Sequence, residues 1–135
     1  MAKLQLLAFI TLDGCPIEMQ TVPSFSENPT GYGITDIRKH VICTLDSDIS
    51  FVSLVQWKKQ EEGNILIEAS FETISVINSL IRFSLIDEMI LYLVPALQGN
   101  GIRLFTEIPG PSSWKMTGNK CFKSGICRLT YKRVE

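Results

Sequence analysis

The chain has 135 residues and carries 13 Lys and Arg against 14 Asp and Glu, a formal charge of −1. A chain of this length builds one domain around one core, and 45% hydrophobic with 20% charged residues excludes a disordered polymer. A sequence pI near 5.9 gives no basic excess for a nucleic-acid partner, and the longest apolar run, residues 4–10, is far short of the ~20 residues of a membrane span.

Residues 3–12 read as a strand apolar on both faces, as a central strand is. Asp13-Gly14-Cys15-Pro16 breaks it with turn formers. Residues 20–33 read as a long loop, since they hold Pro23, Pro29, Gly31 and Gly33; residues 34–38 allow one or two helical turns. Residues 39–44 form a short β-branched strand. A helix to about Glu61 follows, capped by Ser47 or Asp48, with Ile49, Val52, Leu54 and Val55 on its apolar stripe and Gly63 ending it.

A third strand is expected over 64–71, a helix from about Glu72 with Ile74, Ile77, Asn78 and Ile81 on one face, and a fourth strand over 87–94 closed by Pro95. Gly99-Asn100-Gly101 and Pro109-Gly110-Pro111 are turns. Residues 114–122 and 126–133 pair as a hairpin around Lys123-Ser124-Gly125. This order predicts an α/β fold: a mixed, mostly parallel sheet flanked by helices, with a C-terminal antiparallel hairpin at one edge.

Bare motifs offer little chemistry. His40 is the single histidine and reads as an exposed bystander, so no metal site is expected. Gly-x-Gly-x-x-Gly, Walker A, Gly-x-Ser-x-Gly and the deaminase signature are all absent. Cys15, Cys43, Cys121 and Cys127 fit neither a zinc knuckle nor a dense disulfide framework; reduced, buried thiols in a cytoplasmic protein are expected. Nothing in the first residues reads as a cleaved signal peptide.

Four stretches carry a resemblance. They are Ile10-Thr11-Leu12-Asp13-Gly14; Asn28-Pro29-Thr30-Gly31-Tyr32-Gly33; Leu85-Ile86-Asp87-Glu88 with Leu91 to Pro95, Gly99, Gly101, Leu104 and Phe105; and Phe122 through Tyr131. Together the sequence resembles the dihydrofolate-reductase-like family, which includes the reductase domain of the bifunctional riboflavin-biosynthesis deaminase/reductase. The resemblance implies an NADPH-dependent reductase acting on a pterin or ribosylaminopyrimidine ring. In that scheme Asp13 sits beside the substrate and orients it or helps protonate it, Tyr32 can stack on a planar ring, and Ser70 and Thr73 lie where cofactor phosphate is received. Asp87 and Glu88 fix a helix-to-strand corner, while Trp57 and Trp114 read as packing residues.

Two family elements are missing from the sequence. No Gly-Arg-x-Thr-Tyr segment occurs, so the fold is expected to lack about one strand and one helix before Val41. The Gly-Gly turn that would open the phosphate-binding helix is replaced by Ala69-Ser70-Phe71-Glu72-Thr73. A phosphate within ~4 Å of Glu72 would meet about 1 kcal/mol of repulsion in water and ~4 kcal/mol at an effective dielectric of 20. Three readings therefore stand: a reductase with an altered NADPH pocket, a non-catalytic binding or oligomerisation module, and a binder that keeps only the pterin end of the cleft. A shortened sheet exposes an edge, and the resemblance implies a homodimer, with Trp114-Lys115-Met116 and Cys121-Phe122-Lys123 alternating toward a partner.

Overall fold

Residues 4–10 are almost uniformly apolar because the strand they form, β1 (Lys3–Thr11), is covered on both faces. The computed structural model describes every residue except Pro29, Glu107, Pro109 and Glu135; the predicted Pro109-Gly110-Pro111 turn and the Pro29 position of the second motif therefore lie outside the described residues. After β1 come a 3-10 turn (Met19–Thr21), α1 (Pro23–Glu27), α2 (Ile34–Lys39), β2 (Val41–Leu45), α3 (Phe51–Gln60), β3 (Asn64–Glu68), α4 (Ile74–Arg82), β4 (Glu88–Val94), β5 (Trp114–Cys121) and β6 (Cys127–Arg133).

The described strands make one six-stranded sheet in the order β2-β3-β1-β4-β6-β5. β1 runs parallel to β3, with Leu6 opposite Ile67, and parallel to β4, with Thr11 opposite Val94. β2 is parallel to β3, whereas β4–β6 and β6–β5 are antiparallel. The sheet is thus mixed and mostly parallel on one side, with the hairpin at the other, as the element order predicts.

The alternation along β1 sorts the two layers. Leu4, Leu6, Ala8 and Ile10 pack with Leu54 of α3 and Ile77 and Leu80 of α4. Leu7 and Phe9 face the opposite way, against Phe25 of α1, Tyr32 and Ile34 of α2. Each fully buried leucine contributes roughly 1.5–3 kcal/mol relative to exposure. Among the described residues, no helix is long and apolar enough to cross a membrane.

Several local expectations change. The 20–33 segment holds a helix: Pro23 stands at the first helical position, where its missing N–H is no loss. Ser50, rather than Ser47 or Asp48, caps α3 by accepting the Ser53 N–H at 3.4 Å; the exposed Asp46 accepts the Asp48 N–H. Val52 is 71% exposed, and Gly63 belongs to the turn into β3, two residues past the α3 C-cap at Glu61. β3 ends at Glu68, not Phe71.

Lys58, on the buried face of α3, donates to Leu85 O and to Asp87 Oδ2, both at 2.7 Å. Asp87 also accepts the Leu4 N–H at 2.8 Å and contacts Arg133 at 3.4 Å. Glu88 accepts from Lys3 and Gln5. The Leu85–Glu88 motif is therefore a knot joining α3, β1, β4 and β6.

Only His40 separates α2 from β2, and β2 hydrogen-bonds directly to β3.

Candidate functional site

Parallel strands leave their ligand sites at the carboxyl ends, where helices depart to opposite faces. In this chain α1 and α2 follow β1 on one face, while α4 crosses it on the other. At that end Asp13 organises the backbone. Its carboxylate accepts the hydroxyl of buried Thr11, the N–H of Gln98 at 3.2 Å and the N–H of Gly99 at 2.9 Å. These donors, led by Thr11, hold the Asp13 carboxyl down at about 2, below the ordinary 3.8. Asp13 therefore stands in its charged form at neutral pH, able to orient a donor on a neighbouring ring.

The turns joined by Asp13 wall a cleft of about 370 Å³, lined by Cys15, Phe71, Gln98, Asn100 and Ile102 among others. Gly99 allows the wall to turn with φ +74, and a side chain at Gly101 would strike Cys15 Sγ at 3.0 Å. Phe71, just past β3, is 61% exposed at this cleft. The amides of Gln98 and Asn100 each offer a donor and an acceptor. A larger groove of about 470 Å³ lies elsewhere, between α3 and the end of α4. Its lining of Phe51, Val52, Val55, Gln56, Phe83 and Leu85 carries no titratable group.

Tyr32 does not line the Asp13 cleft. Its ring is 5% exposed, packed 4.8 Å from Phe25 and 4.5 Å from Phe122. Its hydroxyl meets Ser124 Oγ at 2.8 Å, and its carbonyl accepts the hydroxyl of Tyr92. In this conformation stacking on a ligand ring is closed to it.

Ser70 and Thr73 form the turn between β3 and α4. Thr73 Oγ1 donates to Glu68 O at 2.8 Å and accepts the Ser70 N–H at 2.9 Å, while Ser70 O accepts the Ile74 N–H at 3.2 Å. The turn is thus closed on itself. Arg38, a cation within reach of this end, is held by Glu68 in a two-pronged pair: Nε–Oε2 at 3.1 Å and Nη2–Oε1 at 2.7 Å. With Glu72 exposed beside them and no glycine from 69 to 73, these residues do not fit a dinucleotide phosphate.

His40 is exposed, with Nδ1 on Asp36 O at 2.6 Å. Trp57 and Trp114 are half-buried against the α3/α4 core. Cys15 is buried, but Cys43 and Cys127 are half-buried and Cys121 is exposed, so the expectation of four buried thiols fails for three. No group of three or more metal-ligating side chains gathers among the described residues.

No known family profile matches the chain. It is 29% identical over 120 residues to the uncharacterized protein YwjB of Bacillus subtilis, an alignment spanning 88% of this chain and 63% of that protein. Superposition on solved structures covers nearly all of it. A protein named for riboflavin biosynthesis, from Shewanella sp. PV-4, matches with TM-score 0.75 and 15% identity over 98% of this chain and 99% of its own. RibD of Acinetobacter baumannii matches at 0.67 and 14%, over 99% of this chain and 58% of its own. Dihydrofolate reductase of Enterococcus faecalis, solved with NADP(H), matches at 0.63 and 13%, over 98% and 97%. At these identities the likeness carries the fold: a dihydrofolate-reductase-like, riboflavin-reductase-like architecture over the whole chain.

Proposed function

We propose that this domain binds a small planar nitrogen heterocycle of the pyrimidine or pterin kind in the cleft beside Asp13, and that it does so without the nucleotide cradle of the reductases whose fold it shares. The observation that carries this reading is the pairing of two states at one sheet end. The Asp13 tie keeps the ring-sized cleft in place, while Glu68, at the end of β3, already pairs with Arg38. Gln98 and Asn100 match the alternating donors and acceptors of such a ring, and exposed Phe71 offers it a face.

A second reading, an NADPH-dependent reductase with a rebuilt cofactor site, draws support from the whole-length likeness to a dihydrofolate reductase solved with NADP(H). It requires phosphate contacts from residues other than Ser70, Thr73 and Arg38. Both readings take the chain as a cytosolic homodimer. Trp114 and Met116 lie on one face of β5, with Met116 42% exposed, and are the positions proposed to meet a second copy.

Thermal unfolding with pterins, aminopyrimidines, NADPH and NADH separates the readings. A ligand at 100 times its dissociation constant adds ~2.7 kcal/mol of stability, and about 2–8 °C per kcal/mol is expected for a domain of this size. A shift with a heterocycle and none with NADPH supports the first reading. An NADPH-selective shift supports the second, and no shift with any ring overturns the first.

A further inference from the structure

The C-terminal hairpin brings together two cysteines that the fold does not otherwise use. Cys121 ends β5 and Cys127 begins β6, directly opposite each other in the register. The Phe122 N–H donates to Ile126 O at 2.9 Å, so the hydrogen-bonded site of the ladder is 122/126 and the cysteines occupy the next, non-hydrogen-bonded one. Opposed Cα atoms at such a site lie ~4.5 Å apart, inside the 4.4–6.8 Å span that a disulfide bridges. The two Sγ atoms are 2.8 Å apart, closer than unbonded sulfurs normally rest. Cys121 is exposed and open to a small reagent. The hydrogen bond between the two sulfurs pushes the Cys127 thiol up, which keeps its proton on while Cys121 reacts.

We propose that Cys121 and Cys127 are a reversible dithiol–disulfide pair, oxidised by exchange with a low-molecular-weight disulfide. The Cys121 thiolate attacks one sulfur of the reagent, forming a mixed disulfide and expelling one thiolate. Cys127 then loses its proton and attacks Cys121 Sγ, forming the intramolecular bond and expelling the second thiolate. Two electrons pass from the cysteines to the reagent, which leaves as two thiols. Glutathione disulfide is a reagent of this class.

The bond would close the hairpin tip as a small ring. That tip touches the rest of the fold through Ser124 Oγ on the Tyr32 hydroxyl at 2.8 Å, the Phe122 ring 4.5 Å from that of Tyr32, buried Ile126, and Gly125 against Pro95, just beyond the end of β4. Oxidation therefore fixes a loop that abuts the proposed binding end without entering it.

The test is equilibration of the folded full chain with glutathione at varied reduced-to-oxidised ratios, alkylation under denaturing quench, and peptide mass spectrometry. The expected result is a single linkage joining the Cys121 and Cys127 peptides, with a mass lower by two hydrogens, reversed by reduced glutathione, while Cys15 and Cys43 stay alkylated. The Cys127→Ser variant should accumulate the glutathione adduct on Cys121. The proposal is overturned if both thiols stay alkylated at ratios that oxidise a free dithiol, or if the bonds formed are intermolecular or involve Cys15 or Cys43. Heterocycle binding is not used as a readout, so failure of this proposal leaves the binding reading intact.

Discussion

The carboxylate of Asp13 accepts the Gly99 N–H at 2.9 Å across 86 residues of sequence, joining the turn after β1 to the turn after β4. Because the folded pKa, about 2, lies below the ordinary 3.8, the tie contributes fully above about pH 4 and is lost as pH falls through about 2. Asp13→Ala leaves the Gln98 and Gly99 N–H groups without this partner. Its expected effects are a lower thermal midpoint and loss of heterocycle-induced stabilisation, with Asp13→Asn intermediate. Scanning calorimetry at pH 7 with and without ligand checks both; an unchanged ligand shift in Asp13→Ala would separate the tie from binding.

Glu68 holds Arg38 away from any incoming anion. An exposed pair of this kind is worth ~0.2–1 kcal/mol, so Glu68→Gln should fold. The freed guanidinium is expected to improve NADPH binding in Glu68→Gln by about tenfold, the size of one charge-assisted contact. Isothermal titration of both proteins with NADPH measures it, and equal affinities would show that Glu68 does not control the phosphate end.

Asn78 is fully buried on α4. Its Nδ2 donates to Ile74 O and Leu104 O at 2.9 Å, and its Oδ1 accepts the Thr106 N–H at 3.1 Å. Asn78→Ala strands buried backbone partners and is expected to cost about 1–3 kcal/mol. Urea denaturation reads the change, with a smaller loss expected for Ser79→Ala on the same helix.

Light scattering at tens of micromolar is expected to give twice the 15.2 kDa chain mass, and Met116→Glu should shift it toward the monomer. A face-to-face contact is favoured over edge pairing. The β5 edge carries Lys115 and Lys120 and an irregular register between Met116 and Gly118, features that discourage strand addition. A strictly monomeric mass would remove the dimer from the proposal.

The sequence was most readable where one force dominated. β1 is mostly apolar and is followed by the turn formers Asp13-Gly14, which place its end within one residue, and the hairpin is marked by Gly125 between two strand-like runs. α1 was hidden because Pro23 reads equally as a loop former and as a helix start. The buried Lys58 was invisible because its partners, Leu85 and Asp87, are 27 and 29 residues away and no periodicity links them. At the candidate site, Asp13 was found from the resemblance, which could not reveal that Thr11, Gln98 and Gly99 already use its oxygens. Cys15, Phe71, Gln98 and Asn100 were missed as site residues; the sole signal was their nearness to Asp13-Gly14 and Gly99-Asn100-Gly101, both identified as turns. Tyr32 failed as an exposed ring for a tertiary reason, since Phe25, Phe122 and Ser124 enclose it.

Among the described strands β1 pairs with β3 and β4, so the most deeply buried strand, made first of the six, has no sheet neighbour until β3 and β4, within residues 64–94, have been synthesised. At ~5–20 residues per second, the nascent chain carries residues 3–11 unpaired for several seconds. Ribosome-arrested chains ending before β4 should therefore recruit chaperones or be cut by protease within this segment, whereas chains extended beyond β6 should resist. The central position that buries this strand most deeply in the finished fold makes it the most vulnerable one during manufacture.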